Sequence, residues 1–399
     1  VHSNLNRRLS GLCDRLDDAG MDAALLLHHR DVLYYAGTAR PASLLVVSAG
    51  TAPDAAGRQA ILFVRRGLKA ARDEATIQDV VPMRGFSTIT RALAELGLDT
   101  GVLGVELDTT TADLYQRVEE AFAGWDVVDV APIVLDQRMV KDEGEIAATE
   151  RAATVADAGH RALARAVAAG MTELELVAEV EMAIRLAGHE GYQPLRYPLA
   201  RGGGVFLMSG ENLDVRGGHG LVVTGAGLSA ASPYGASRRV IQPGDLIVLD
   251  IGSIRDGYTA DESRTFVIGE PTEPQRALFT VAKAAEEAAL EALAPGVPVA
   301  HVYAAAETVV DGGHSPFYPP GSLSLPGFVG HGIGLELDEP PVLWPREEMQ
   351  LQEGMVLAVE IEVSAPAERT MAKMEDTVVV RPGGFRMLTK APRGLTVCG

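Results

Sequence analysis

Four acidic residues and one histidine lie within stretches whose neighbours are apolar or glycine. The stretch LIVLDIG, residues 246–252, carries Asp250 at the end of an apolar, β-branched run, and Asp261 follows eleven positions on. Alternation and the Arg255-Asp256-Gly257 turn predict a hairpin, with one strand to Ile251 and the next from Tyr258 to Ile268. Two carboxylates on paired apolar strands repel each other and lose hydration, which calls for a cation between them. The plainer reading makes Asp250 a strand-end cap and Asp261 a solvated acid. Three later segments add to the signal. Gly330-His331-Gly332-Ile333-Gly334 flanks a histidine with residues that allow close backbone approach. MVLAVEIEV, residues 355–363, carries Glu360 and Glu362, and AKMEDTVVV, residues 372–380, carries Glu375 and Asp376. Acids inside apolar strands are the informative exception to burial rules. One imidazole and four carboxylates suit a pair of divalent ions with mostly hard ligands: Mn²⁺, Co²⁺, Fe²⁺ or Zn²⁺.

The order Asp, Asp, His, Glu, Glu, in the contexts LDIG…GYTADESRTF, GHGIGLELDEPP, EGMVLAVE and MEDTVVV, resembles the pita-bread metallopeptidases of type M24. That family includes Xaa-Pro aminopeptidases, prolidases and methionine aminopeptidases. The resemblance covers roughly the last two thirds of the chain, and its five ligand positions together are far more specific than any one. It implies that Asp250 binds one metal, that Asp261 and Glu375 bridge both, and that His331 and Glu360 bind the other. It also favours Glu360 over Glu362 as general base, acting on a water activated between two metals. Arg264 and Thr265 are candidates to orient these ligands from behind.

The substrate-reading residues depart from the Xaa-Pro peptidase pattern. Tyr234, in SPYG, and Asp338, seven residues after His331, stand where the family commonly has histidines that face substrate. Both are taken as catalytic candidates beside Glu360. Lys373 stands where many members have Arg, two residues before Glu375. Lys373, His219 in GGHG and His29 are candidate substrate contacts, although loop and surface histidines commonly have no such role.

The elements that must position these residues fall in two parts. Leu5, Leu9, Leu12 and Leu16 predict a helix over residues 3–20. AALLL, SLLVVS, AILFV, GVLGVE and DVVDVAP read as strands, with RALAELG and TADLYQRVEEAFAG as helices among them. That alternation predicts an α/β domain over residues 1–140. HHRDVLYYAGT, residues 28–38, resembles the strand-end loop that approaches a partner subunit's active site in the family. From Lys141 an Ala-, Glu- and Arg-rich amphipathic helix begins, and Thr172 with Glu175 forms a capping box for the next. Short strands such as GLVVTG are expected before Pro243, and helices over Pro274–Leu293 and Val299–Gly312 follow the first hairpin. Two helices then strands, twice over, predict an α+β pita-bread (creatinase/aminopeptidase-like) catalytic domain over residues 141–399, with a pseudo-two-fold internal repeat. The resemblance extends to a creatinase/prolidase-type amino-terminal domain.

Composition excludes several classes. A formal charge of −19 over 399 residues argues against nucleic acid and anionic membranes as partners. Cys13 and Cys398 lie near opposite ends and form no disulfide or redox motif. Neither a signal peptide nor a membrane span is recognisable, which points to the cytoplasm. The expectation is a homodimeric, two-metal hydrolase, manganese being one candidate ion, that cleaves a C–N bond in a small peptide or amide. A small-molecule lyase or hydrolase on the same fold is the alternative, and a non-catalytic binding protein a weaker one.

Overall fold

The computed structural model describes all residues except 1–3, 52–59, 192–193, 197–203, 218–221 and 313–315. The chain divides into two compact units, Val1–Arg138 and Met139–Gly399.

The first unit runs α1 (Leu5–Asp18), β1 (Ala23–Leu26), α2 (His29–Ala36), β2 (Ala42–Val47), β3 (Ala60–Val64), α3 (Leu68–Glu74), β4 (Val80–Pro82), α4 (Phe86–Glu95), β5 (Gly101–Val105), α5 (Ala112–Ala121), β6 (Trp125–Asp129) and α6 (Ala131–Met139). Its mixed sheet has the order β4-β3-β2-β1-β5-β6. Leu25, Leu45, Phe63, Leu103 and Val105 pack on one face against Phe86, Ile89, Leu93, Val118 and Phe122 of α4, α5 and its end. Residues 28–38 depart from the loop expected of them. Within them His29–Ala36 form α2, because Val32, Tyr35 and Ala36 bury at helical spacing, Asp31 favours the first turn, and Gly37 stops the helix at φ 78°.

The second unit opens with α7 (Glu143–Ala166) and α8 (Glu173–Leu186), and each begins with a complete capping box, Asp142 with Glu145 and Thr172 with Glu175. Then come β7 (Val205–Ser209), β8 (Leu246–Arg255), β9 (Tyr258–Ile268), α9 (Glu273–Glu291), α10 (Val299–Asp311), β10 (Gly330–Gly332), β11 (Glu339–Val342), β12 (Val356–Ala365), β13 (Thr370–Arg381), β14 (Gly384–Met387) and β15 (Thr396–Cys398). The sheet runs β11-β10-β12-β13-β9-β8-β7, with β14 on β13 and β15 on β9. The expected strand GLVVTG is a correction: its described residues, 222–225, have no strand, and β7, which the Gly- and Pro-rich surroundings hid, takes the edge beside β8.

Period-2 alternation decides which face each residue takes. Ile247, Leu249 and Ile251 of β8 pack beneath α7 and α8. Leu357, Val359, Ile361 and Val363 of β12 and Met374, Val378 and Val380 of β13 pack beneath α9 and α10. The order helix pair then hairpin therefore occurs twice around one sheet. The alternate residues, carrying the acids, point to the opposite face.

His160 of α7 ties helix to sheet. Its Nε2 lies 3.0 Å from the Glu262 carbonyl oxygen, and burial, aided by the Arg264 charge, pushes its pKa from 6.5 down to about 3. Below pH 6.5 the unfolded chain takes up a proton that the folded chain refuses. Stability therefore falls as pH drops through that window, by up to about 1.4 kcal/mol per pH unit. Urea midpoints between pH 7 and 4 are expected to fall less steeply in His160→Gln than in the wild type. Identical slopes would remove His160 from this role.

Candidate metal centre

The turn between β8 and β9 is Asp256-Gly257, both at positive φ, 55° and 76°, the geometry of a two-residue hairpin. It pairs Asp250 with Ser263 and Gly252 with Asp261. The two aspartates are therefore diagonal neighbours on one face rather than directly opposite. Ser263 also pairs with Glu375, and Glu375 with Glu360, so Asp250, Ser263, Glu375 and Glu360 form one row across four strands. His331 enters from β10, which pairs with β12 at Ala358. Gly330 and Gly332 leave no room for a Cβ: one added at either would lie 2.2 Å from a backbone oxygen of the neighbouring strand.

These five side chains are brought together. Ligand atoms of Asp261, His331 and Glu375 all lie within 4.8 Å of one another, as do those of Asp250, Glu360 and Glu375. Glu360 Oε2 also lies 2.5 Å from Lys373 Nζ, and its charge acts on His331. Burial and the neighbouring acids push Glu375 up to about 8, against the lowering pull of Lys373. Burial, Glu375 and Asp250 likewise hold Asp261 well above the usual carboxylate range.

The donor chemistry fits divalent ions. Glu375 Oε1 is buried without a hydrogen-bond partner among the described residues, an acceptor held ready for a cation. His331 Nδ1 lies 3.0 Å from the Gly332 oxygen, and donation there turns Nε2 and its lone pair toward the acids. Two donor groups sharing Glu375 suit two ions, and each ion would relieve the crowding of charge that raises these pKa values.

Residues behind the row fix it. Ser263 Oγ donates to Glu375 Oε2 at 2.6 Å, and Thr377 Oγ1 accepts from Asp261 N–H at 2.9 Å. Sequence reasoning passed over both, although each lies two residues from a ligand and so on its face. Arg264 donates to the Glu375 oxygen, Asp376 and Glu262 at 2.6, 2.6 and 2.9 Å. Thr265 Oγ1 donates to the Lys373 carbonyl at 2.8 Å. Glu362, the rival of Glu360, is fully buried and accepts from Val223 N–H at 2.7 Å.

The substrate candidates are dispersed. Asp338 Oδ1 lies 3.4 Å from His331 Nε2, with its side chain 62% exposed, at the rim of the centre. Tyr234 sets its ring edge-on to Phe206, the residue paired with Asp250 across β7 and β8. Lys373 is buried among the acids and not displayed on an open surface. His29 opens α2 of the first unit, its pKa lowered to about 4 by burial and His28. His219 lies outside the described residues.

Fold and donor set together define a metal-dependent hydrolase of the pita-bread type. Residues 147–382 match the profile of metallopeptidase family M24, and residues 8–140 match the creatinase/prolidase N-terminal domain. The chain belongs to metallopeptidase family M24, whose members work with two divalent metal ions. The Xaa-Pro dipeptidase of Pyrococcus furiosus is 26% identical over 98% of this chain and 100% of its own length. The Xaa-Pro dipeptidase from Bacillus anthracis superposes with TM-score 0.82 at 24% identity, covering 99% of this chain and 100% of that one. Dipeptidase PepE from Mycobacterium ulcerans gives TM-score 0.76 at 26% identity, with 98% and 97% covered. Among the described residues no helix is long and apolar enough to cross a membrane.

Proposed function

We propose that this metallopeptidase is a cytoplasmic, homodimeric dipeptidase that hydrolyses the C–N bond of short peptides and has reduced preference for Xaa-Pro. Asp250, Asp261, His331, Glu360 and Glu375 hold its two ions, within a catalytic domain over residues 141–399 that follows a separate domain over 1–140. One observation carries the reading: five ligand-type side chains share one face of one sheet, and Glu375 Oε1 there has no hydrogen-bond partner among the described residues.

The ions supply Lewis acidity, acidifying water and polarising the scissile carbonyl. Glu360 accepts the proton of the attacking water on a carboxylate oxygen and returns it to the departing amine. His331 is held in one tautomer by Gly332, and Ser263 and Thr377 fix the carboxylates of Glu375 and the backbone of Asp261. Asp338, at the rim, accepts from the ammonium of a substrate. Tyr234 donates from its phenol.

The relatives named above as Xaa-Pro dipeptidases support the peptide class, while Tyr234 and Asp338 support the altered preference. The test is a panel of dipeptides with and without proline, assayed after chelation and again after Mn²⁺ is restored. Hydrolysis that is lost and regained supports the reading. Hydrolysis indifferent to chelation, or none on any peptide, would sink it.

A further inference from the structure

Glu362 lies two residues after Glu360 on β12, and so on the face of the metal row, yet it belongs to neither donor group. It is fully buried, and it docks a separate stretch of chain against that face. Its Oε2 accepts from Val223 N–H at 2.7 Å, and its Oε1 lies 3.6 Å from a guanidinium nitrogen of Arg216. Residues 215–217 and 223–225 are bound side by side. Thr224 and Gly225 N–H donate to the Val215 carbonyl at 3.3 and 3.0 Å, and Gly217 N–H donates to Thr224 Oγ1 at 3.1 Å. This excursion leaves the sheet after β7 and returns through Ser237. The buried Glu173 carboxylate closes its base, accepting from Ser209, Asn212 and Ser237 at 2.7–2.9 Å. Arg216 is therefore held in place from two sides. Lys373 and Arg216 both act on the Glu362 charge, but the lysine side chain is 1% exposed and the arginine 53%.

We propose that Arg216 reads the free α-carboxylate of the peptide substrate, and that Glu362 is the positioning residue that aims it. This rests on the peptidase reading above and adds the residue that selects for an unblocked carboxyl end. Acids crowd this face, so the anionic end of a peptide needs a fixed cation to settle against. A guanidinium carries its N–H donors in a planar fork that grips a carboxylate at two points. The register of β12 sets the direction. His331 pairs with Ala358, Glu360 comes next on that face and Glu362 after it, each step being about 6.6–6.8 Å. Asp338, beside His331, thus lies to one side of Glu360, and Arg216, beside Glu362, to the other. A peptide laid along this line with its reacting carbonyl at Glu360 points its ammonium toward Asp338 and its carboxylate toward Arg216. In a dipeptide one residue, about 3.3–3.6 Å, separates that carbonyl from the terminal carboxylate. The long, half-exposed arginine side chain covers the remaining distance.

The experiment measures kcat and KM for one dipeptide and for its C-terminal amide, at saturating Mn²⁺, in the wild type, Arg216→Met and Arg216→Lys. The wild type is expected to favour the free acid by about 10–100-fold in kcat/KM, the usual worth of a hydrogen bond between charged groups. Arg216→Met keeps much of the side-chain length and removes the charge. It is expected to lose the preference, through a raised KM for the free acid and not through kcat. Arg216→Lys keeps the charge without the fork and is expected to fall between the two. A wild type indifferent to amidation would overturn the proposal, as would an Arg216→Met protein that keeps the preference. Equal losses on both substrates in Arg216→Met would also overturn it, because a residue that only supports the loop cannot tell a carboxylate from an amide. Hydrolysis of neither form by the wild type would overturn the peptidase reading itself, which separates the two failures.

Discussion

Glu360→Gln is expected to lower turnover about 10²–10⁴-fold, the usual contribution of a positioned general base. The substitution preserves shape and leaves no cavity, so the loss would be chemical and not structural. Glu360 is 5% exposed, with Glu375 beside it in register and Lys373 Nζ at 2.5 Å. A carboxamide has no anionic oxygen to take a proton, and it binds a divalent ion more weakly than a carboxylate does. The measurement is kcat on the best dipeptide at saturating Mn²⁺, with thermal unfolding as the control for folding. Loss of kcat with an unchanged unfolding midpoint is the expected pattern. Full turnover in the variant would remove Glu360 from the chemistry and leave Glu362 as the acid to test.

Asp338→His is expected to raise cleavage of Xaa-Pro dipeptides by about 10²-fold or more, the typical worth of one oxyanion donor. The side chain is 62% exposed and its Oδ1 lies 3.4 Å from His331 Nε2, so it reaches the centre without being part of the core. A carboxylate only accepts hydrogen bonds, whereas an imidazole can donate one to a substrate oxygen as negative charge develops there. Asp338→Ala separates the two contributions. It removes the acceptor for a substrate ammonium and supplies no donor, so it is expected to weaken binding of free-amino dipeptides without gaining proline cleavage. Comparison of kcat/KM for the three proteins on proline and non-proline dipeptides decides the matter. Efficient wild-type proline cleavage that Asp338→Ala leaves untouched would show that Asp338 does not read the substrate.

The architecture of the centre was legible where local chemistry and pattern agree. Asp256-Gly257 fixes a two-residue turn, and that turn sets the register that places Asp250 and Asp261 diagonally on one face. Strand alternation in MVLAVEIEV and AKMEDTVVV separates the residues under the helices from the acids. The Thr172–Glu175 capping box announced the start of α8, whereas the Asp142–Glu145 box at the start of α7 emerged only with the structure. Tertiary context decided the rest. His29–Ala36 form a helix because Val32, Tyr35 and Ala36 are buried there, which the strand before them does not reveal. β7 gains strand partners only by pairing with β8, thirty-seven residues further on from Ser209 to Leu246. Lys373 is a candidate substrate contact by the resemblance, standing where many members have Arg, and its burial is what the resemblance does not show. Its place in an apolar strand, on the parity of Glu375, was the available sign that it would turn inward.

The central claim is that Asp250, Asp261, His331, Glu360 and Glu375 together hold two ions, and anomalous diffraction tests it most directly. Crystals soaked in excess Mn²⁺ and measured at the manganese edge are expected to show two anomalous peaks. Both belong among these five side chains, within a few ångströms of Glu375. No peak among them, or peaks held by other side chains, would contradict the claim.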